Sequence, residues 1–297
     1  MSEPDRRVND DVTEFQGQRA MLVGIAYRLL GSFADAEDVV QEAWLRWSTV
    51  DRQTIASPGH FLITVVTRLS IDRMRLAHRR RETHVGPWLP EPVLTEVGQP
   101  LGPAETAAQR DTLSLAMLRL LQRLSVPERA VFVLREAFEL PYMEISGILG
   151  LSEAHARQLH RRGTDHVAAG RKRFTVDPGK HRDLVERFLI AARTGERDAL
   201  EGLLAHDVTL WNDSGGKVSA ALRPVFGADR VSRLVIGTLA KHDSAEFRVV
   251  ELNGETGLLM CLSSRWQTCS FEVTEGLITG LQWMANPDKL DHLTPTE

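Results

Sequence analysis

The stretch from Pro127 to Gly163, PERAVFVLREAFELPYMEISGILGLSEAHARQLHRRG, restricts the fold of this chain more than any other. Ile145, Ile148 and Leu149 recur at i, i+3, i+4, the spacing that lines up apolar side chains on one face of a helix. Gly150 ends that helix, because the left-handed conformation at a helix C-terminus costs glycine least. Leu151 fills the corner, and Ser152 carries the side-chain oxygen that caps a following helix. In the second helix Ala156, Leu159, His160 and Gly163 share one side. Ala154, Arg157, Gln158 and Arg161 take the other, flanked by His155 and Arg162. A short helix, a glycine turn and a second helix with an open Arg/Gln/His face make a helix-turn-helix, whose second helix fits the DNA major groove. Arg and Gln there reach guanine and adenine edges, while further arginines hold phosphates. The plainer alternative is an αα-hairpin with a solvated basic face.

At 297 residues the chain has room for two or three domains with their own cores. No apolar run approaches the roughly 20 residues of a membrane span. The opening MSEPDRRVNDDVTEF is polar and acidic, unlike a secretory signal. Cys261 and Cys269 lack metal-type spacing and read as reduced, buried thiols. The expectation is a cytoplasmic protein without membrane contact. A net charge of −4 sits oddly with nucleic-acid binding until the chain is divided: residues 1–176 carry +1 and residues 177–297 carry −5. Local patches, rather than the total, decide such contact.

Upstream, a helix is expected from about Asp11 to Leu30, with Phe15, Leu22, Ala26 and Leu29 inward, broken by Gly31-Ser32. Ser32 can cap the next, SFADAEDVVQEAWLRW, in which Ala36, Val39, Val40, Ala43 and Trp47 form the buried stripe. Asp35, Asp38, Gln41 and Glu42 are left on or near the outer surface, which physical reasoning alone reads as solvated. After a Ser57-Pro58-Gly59 loop, a third helix from about His60 to Arg81 buries Leu62, Val65, Val66, Leu69 and Met74. It carries six arginines within 14 residues: Arg68, Arg73, Arg75, Arg79, Arg80 and Arg81. Such a row on an amphipathic helix suits a phosphate backbone.

Residues 83–108, with Pro87, Pro90, Pro92, Pro100 and Pro103, read as an extended linker, and a helix from about Glu105 to Leu124 opens the next domain. Pro178-Gly179 mark a further boundary. The expected domains are therefore 1–82, 109–176 and 177–297, joined by the 83–108 linker. Beyond Pro178, amphipathic helices precede strand-like segments, and Asn253-Gly254-Glu255 signals a hairpin. Helices followed by a curved antiparallel sheet describe an α+β cone. The fold expectation is two all-α domains, a helical bundle and a helix-turn-helix, plus a C-terminal α+β domain.

These segments also carry a family resemblance. DAEDVVQEAWLRW (35–47), followed by RLSIDRMRLAHRRR (68–81), resembles the second conserved region of bacterial sigma factors, and Pro127–Gly163 resembles the fourth. With no obvious third region between them, the chain over about residues 10–175 is similar to group IV, extracytoplasmic-function sigma factors. WLPEP (88–92) resembles the linker of the subgroup with a fused C-terminal SnoaL-like domain, whose fold is of the nuclear-transport-factor-2 (NTF2) type. WNDSGGK (211–217) resembles that subgroup's DGGGK-like motif, with Ser214 in place of a glycine. NPDKL (286–290) matches its C-terminal motif as it stands.

The resemblance implies roles. Asp35, Asp38, Gln41 and Glu42 would dock on the β′ clamp helices of core RNA polymerase, with the β flap as a second contact. Arg68, Arg73, Arg75 and Arg79 would hold the melted −10 promoter element, for which a Pro/Gly loop beside an arginine helix is suited. His155, Arg157, Gln158, Arg161 and Arg162 would read the −35 element as duplex. Asp213, Gly215, Gly216, Lys217, Asn286, Pro287, Asp288, Lys289 and Leu290 would form a regulatory contact with the sigma part. The linker would follow the polymerase's RNA-exit and active-site channel, and tether two DNA-binding domains as one bivalent ligand. A small molecule in the C-terminal pocket would bias the control. The free protein is expected to be a monomer without cofactor or metal. SnoaL-type pockets also host proton-transfer chemistry, for which His206, Asp207, Trp211, Asp213 and Lys217 are candidates. Fold alone does not confer activity, and the expectation is an initiation factor rather than a DNA-binding regulator fused to a working enzyme.

Overall fold

The computed structural model describes residues 3–51, 54–82, 84–95, 112–170, 177–242 and 244–293, with backbone alone for 3–11, 77–82 and 170. Most of the expected linker, the start of the helix expected at Glu105, the side chain of Arg79 and the boundary near Val176 lie outside the described residues. The chain forms two compact units, Met1–Arg80 with Val97–Leu113 and Leu120–Ala169, and Arg81–Glu96 with Ser114–Arg119 and Gly170–Glu297. No described helix is long and apolar enough to cross a membrane.

In the first unit, α1 (Glu3–Leu30) packs on α2 (Phe33–Thr49). Leu22, Ala26 and Leu29 are fully buried, as are Val39, Ala43 and Trp47. Each of the larger of these side chains contributes about 1.5–3 kcal/mol. Ser32 caps α2 as its position suggested, accepting the Asp35 amide at 3.1 Å. The third helix, α3 (Pro58–Glu82), starts two residues earlier than expected. Pro58 reads as a breaker, yet at a first helical position its missing N–H is no loss.

Four more helices follow among the described residues: α4 (Leu115–Leu121), most of which belongs to the second unit, α5 (Val126–Glu136), α6 (Tyr142–Leu149) and α7 (Glu153–Gly170). A reciprocal Ser125/Glu128 capping box and Pro127 start α5. Gly150 closes α6 at φ 66°, and α7 packs through Ala156 and Leu159, so the helix-turn-helix forms as its periodicity requires. Arg129 Nη1 donates to Leu29 O at 2.9 Å, and Arg28 Nε to Thr112 Oγ1 at 3.0 Å. Loss of hydration lowers the Arg28 pKa to about 10.

In the second unit, α8 (Pro178–Thr194) and α9 (Arg197–Glu201) precede β1 (Leu204–Asp213) and β2 (Val225–Phe226). Then come α10 (Ala228–Leu239), β3 (Glu246–Leu252), β4 (Glu255–Leu262), β5 (Arg265–Thr274) and β6 (Leu277–Met284). The sheet order is β2-β1-β6-β5-β4-β3. Strands β3 to β6 form the expected antiparallel meander, and the Asn253-Gly254 turn has φ of 54° and 80°, the geometry of a tight hairpin. The sheet as a whole is mixed, because β1 lies parallel to β6. No tight turn dictates β1's direction; it enters from α9, and α10 and the meander separate it from β6. Irregular register in β1 and β5 curves the sheet over α8 and α10. This is the α+β cone of the SnoaL-like and NTF2-like folds.

Candidate nucleic-acid interface and linker clamp

The exposed side of α7 carries His155, Arg157, Gln158, Arg161 and Arg162, all five facing solvent. They differ in what holds them. Arg157 pairs with Glu153 one turn back and stacks over Tyr142, 4.4 Å from the ring centre. Arg162 pairs with the nearly buried Glu128 at 3.0 Å. Burial alone would raise the Glu128 pKa, but hydrogen bonds from Ser125 and the nearby Arg162 and His166 outweigh it and keep the carboxyl below its ordinary range. His155, Gln158 and Arg161 have no side-chain partner among the described residues. Behind them, His160 is anchored by Tyr142 and Glu136, which fixes the helix against its neighbours.

On α2 and α3 the outward groups meet one another. Arg73 Nη1 lies 3.1 Å from both Asp35 Oδ1 and Asp38 Oδ2. Arg68 Nε donates to Ile148 O, at the end of α6, at 3.0 Å. Glu42 pairs with Arg46 one turn on, and Arg75 with Asp72. Thus three of the arginines expected to face DNA have partners within the chain, Arg73 among them through acids expected to face polymerase. Gln41 lines a shallow cavity with Phe15, Arg19 and Trp44.

The second unit holds a buried polar cluster at the end of β1. Asp213 is 0% exposed, and each carboxylate oxygen accepts twice. Oδ1 receives His84 Nε2 at 2.9 Å and the Gly215 amide at 3.1 Å; Oδ2 receives the Leu89 amide at 2.9 Å and Lys289 Nζ at 2.8 Å. Lys289 also donates to Leu89 O at 2.6 Å and stands 4.0 Å from the centre of the Trp88 ring. A buried carboxylate saturated in this way avoids the penalty of an unpaired charge. Gly215 and Gly216 have φ of 57° and 74°, and a Cβ on Gly215 would sit 2.6 Å from Asn286 Nδ2. The two glycines are therefore required, whereas Ser214 in place of a third is accommodated. Lys217 and Asp288 form an exposed pair at 2.5 Å, a contact worth little in itself.

Residues 84–95 continue across the outer face of the sheet. Val93 and Asn253 exchange hydrogen bonds, with Val93 N to Asn253 Oδ1 at 2.8 Å and Asn253 N to Val93 O at 2.9 Å. Leu94 bridges Leu252, Thr95 Oγ1 donates to Glu251 at 2.7 Å, and His292 reaches Pro92 O at 2.8 Å. Leu89, Met284, Leu290 and Leu293 form a small core of their own. Arg119 adds a further bolt on this face, bonding Glu272 and lying 3.7 Å from the centre of the Trp211 ring. The segment is extended, as its prolines require, but it is held to the sheet throughout rather than loose. Sequence reading missed His84, Leu89, Val93 and Arg119. The available signal was Leu89 and Val93 among the prolines.

The groups weighed for catalysis do not converge. Asp213 and Trp211 face the linker side, Lys217 pairs with Asp288, and His206 and Asp207 are exposed.

Comparison with known proteins assigns residues 15–80 to sigma-70 region 2 and residues 114–166 to sigma-70 region 4. The extracytoplasmic-function RNA polymerase sigma factor SigJ of Mycobacterium tuberculosis is 39% identical, with 94% of this chain and 93% of SigJ aligned. The probable sigma factor SigI of the same species is 29% identical over 94% of each chain. The crystal structure of M. tuberculosis SigJ superposes with a TM-score of 0.78 at 35% identity, covering 96% of this chain and all of that one.

Proposed function

Because the chain belongs to the extracytoplasmic-function RNA polymerase sigma factors, which direct promoter-specific transcription initiation and are not enzymes, we propose that its C-terminal domain sets when initiation occurs by gripping residues 84–95. Sigma factors act with core RNA polymerase at promoter DNA. In this chain Asp35, Asp38, Gln41 and Glu42 take the β′ clamp helices, the β flap offers a second contact, and Arg68, Arg73, Arg75 and Arg79 take the melted −10 strand. His155, Arg157, Gln158, Arg161 and Arg162 take the −35 duplex. The protein works in the cytoplasm as a monomer until it meets polymerase. The proposed domains are residues 1–82, 109–176 and 177–297, and the C-terminal cavity receives a small-molecule effector.

One observation carries the regulatory reading: the Asp213 carboxylate accepts from His84 and Leu89 while Lys289 reaches Leu89 O. Residues of both C-terminal motifs thus hold the segment that follows α3. The pairing of Arg73 with Asp35 and Asp38, and of Arg68 with Ile148 O, supports a resting state in which polymerase-facing and DNA-facing groups are internally satisfied. Such control needs two states that differ in affinity for polymerase or promoter. Run-off transcription with purified core polymerase, comparing the unaltered chain with His84→Ala and Trp88→Ala, tests it. These linker-side changes leave the sheet intact, and promoter output should shift by roughly threefold or more, a coupling of about 0.7 kcal/mol. Unaltered output from both variants retires the regulatory role.

A further inference from the structure

On the opposite face of the sheet from the linker lies a cavity of about 520 Å³, within the size range of small-molecule sites. Its floor is apolar: Leu262 is 1% exposed, Trp283 4% and Ala285 4%. Two uncharged polar groups are set into this floor. Trp283 Nε1 donates to Gln267 Oε1 at 2.7 Å. An indole N–H only donates, so the Gln267 oxygen must face it, which leaves the Gln267 NH₂ as a donor with no acceptor among the described residues. Asn212 Oδ1 is shielded from solvent and accepts no hydrogen bond. At the mouth stand Lys241 and Arg265, both exposed and neither with a carboxylate partner among the described residues. No Asp or Glu lines the cavity among those residues.

An apolar floor, an idle amide donor, and two rim cations without a carboxylate partner among the described residues describe one kind of occupant. We infer that this cavity binds a small organic anion, its apolar body against Trp283 and Leu262 and its acidic group between Lys241 and Arg265. The inference rests on the reading of this pocket as an effector site and gives that effector a chemical class. It also gives it a route to the linker. Asn212 pairs with Trp283 across β1 and β6, and the next pair along is Asp213 with Met284. Successive residues of a strand point to opposite faces. The pair that walls the cavity is therefore one peptide unit from the pair that grips residues 84–95.

The test is calorimetric titration of the full-length protein with 2-naphthoate and with its neutral amide, 2-naphthamide, repeated on Lys241→Gln/Arg265→Gln. Both substituted side chains are exposed and without ion-pair partners among the described residues, so the fold is retained. Naphthoate should bind roughly tenfold more tightly than the amide, the scale expected of two partly exposed cations. In the double variant naphthoate should fall to the affinity of the amide, and the amide should be unaffected. Equal affinity of the two probes for the unaltered protein, a preference that survives the double variant, or no naphthoate heat at millimolar concentration would each overturn the inference. Binding is read here without polymerase or promoter. A failure therefore leaves the linker grip standing, just as failed linker variants would leave this result standing.

Discussion

On α7, Gln158 and Arg161 face solvent with no side-chain partner among the described residues, while at the end of β1 the Asp213 carboxylate is fully buried and accepts four hydrogen bonds. Both places are rich in ionisable groups, yet the physics differs. The groups on α7 gain nothing inside the protein, and changing them costs the fold little. Those around Asp213 have exchanged hydration for fixed partners, and removing one strands the others. The first pattern is that of a surface kept open for an outside ligand. The second is that of an internal latch, whose ligand is another part of the same chain.

The largest effect should come from breaking the latch at its centre. Asp213→Asn leaves Lys289 buried beside Trp88 without its countercharge and should cost about 3–5 kcal/mol. A urea titration should show the loss, and hydrogen exchange should show residues 84–95 losing protection. Adding Lys289→Met should restore much of the stability, because the stranded charge is then gone. A single variant within about 1 kcal/mol of the unaltered chain would mean that the cluster is far better hydrated than its burial indicates.

Next in size is the open surface. Arg161→Ala and Gln158→Ala should each weaken promoter binding by the holoenzyme by about 1–3 kcal/mol if they touch base edges, with stability unchanged within about 0.5 kcal/mol. Holoenzyme binding to matched and altered −35 sequences checks this. A loss that is uniform across sequences would move the residue from base to phosphate contact.

The same contrast explains what could be read in advance. Ala156, Leu159, Gln158 and Arg161 are sorted by a helical period contained within one segment, so sequence alone places them on opposite faces. Asn253-Gly254 likewise encodes its own turn. The grip on residues 84–95 joins positions separated by more than a hundred residues, such as Leu89 with Asp213 and Val93 with Asn253. No local period encodes that. The motifs were visible as WLPEP, WNDSGGK and NPDKL, but only the fold brings them into one cluster. The parallel placement of β1 escaped for the same reason, since a long crossover leaves no turn signal.

Arg162 tests the boundary between the two regimes, because it sits on the open face yet pairs with the nearly buried Glu128. The Glu128 pKa is lowered in the folded protein, so its contribution to stability is present above the unfolded value of 4.5 and is lost as pH falls through the folded value. Arg162→Ala should cost about 0.5–1 kcal/mol near pH 7, a modest figure because the guanidinium is largely exposed. That cost should vanish once Glu128 is protonated. Urea titrations at neutral and acidic pH give both numbers. A cost independent of pH would assign it to packing rather than charge.

The smallest expected effect concerns a group in neither regime. His181, on α8, is 8% exposed, and its Nε2 is shielded without a hydrogen-bond partner. Burial lowers its pKa from the ordinary 6.5. A base with a lowered folded pKa favours the folded state in its neutral form. Its contribution is present above the unfolded pKa and is lost as pH falls from about 6.5 towards the folded value, where the unfolded chain takes up a proton that the folded chain refuses. Other groups titrate over the same range, so the useful quantity is a difference. Between pH 8 and pH 5.5 the melting temperature of the unaltered protein should fall by about 1–3 °C more than that of His181→Leu. The leucine fills the same space and removes the proton site. Equal slopes for the two proteins would mean that water reaches the ring in solution, and that α8 seals this edge of the cone less tightly than its burial implies.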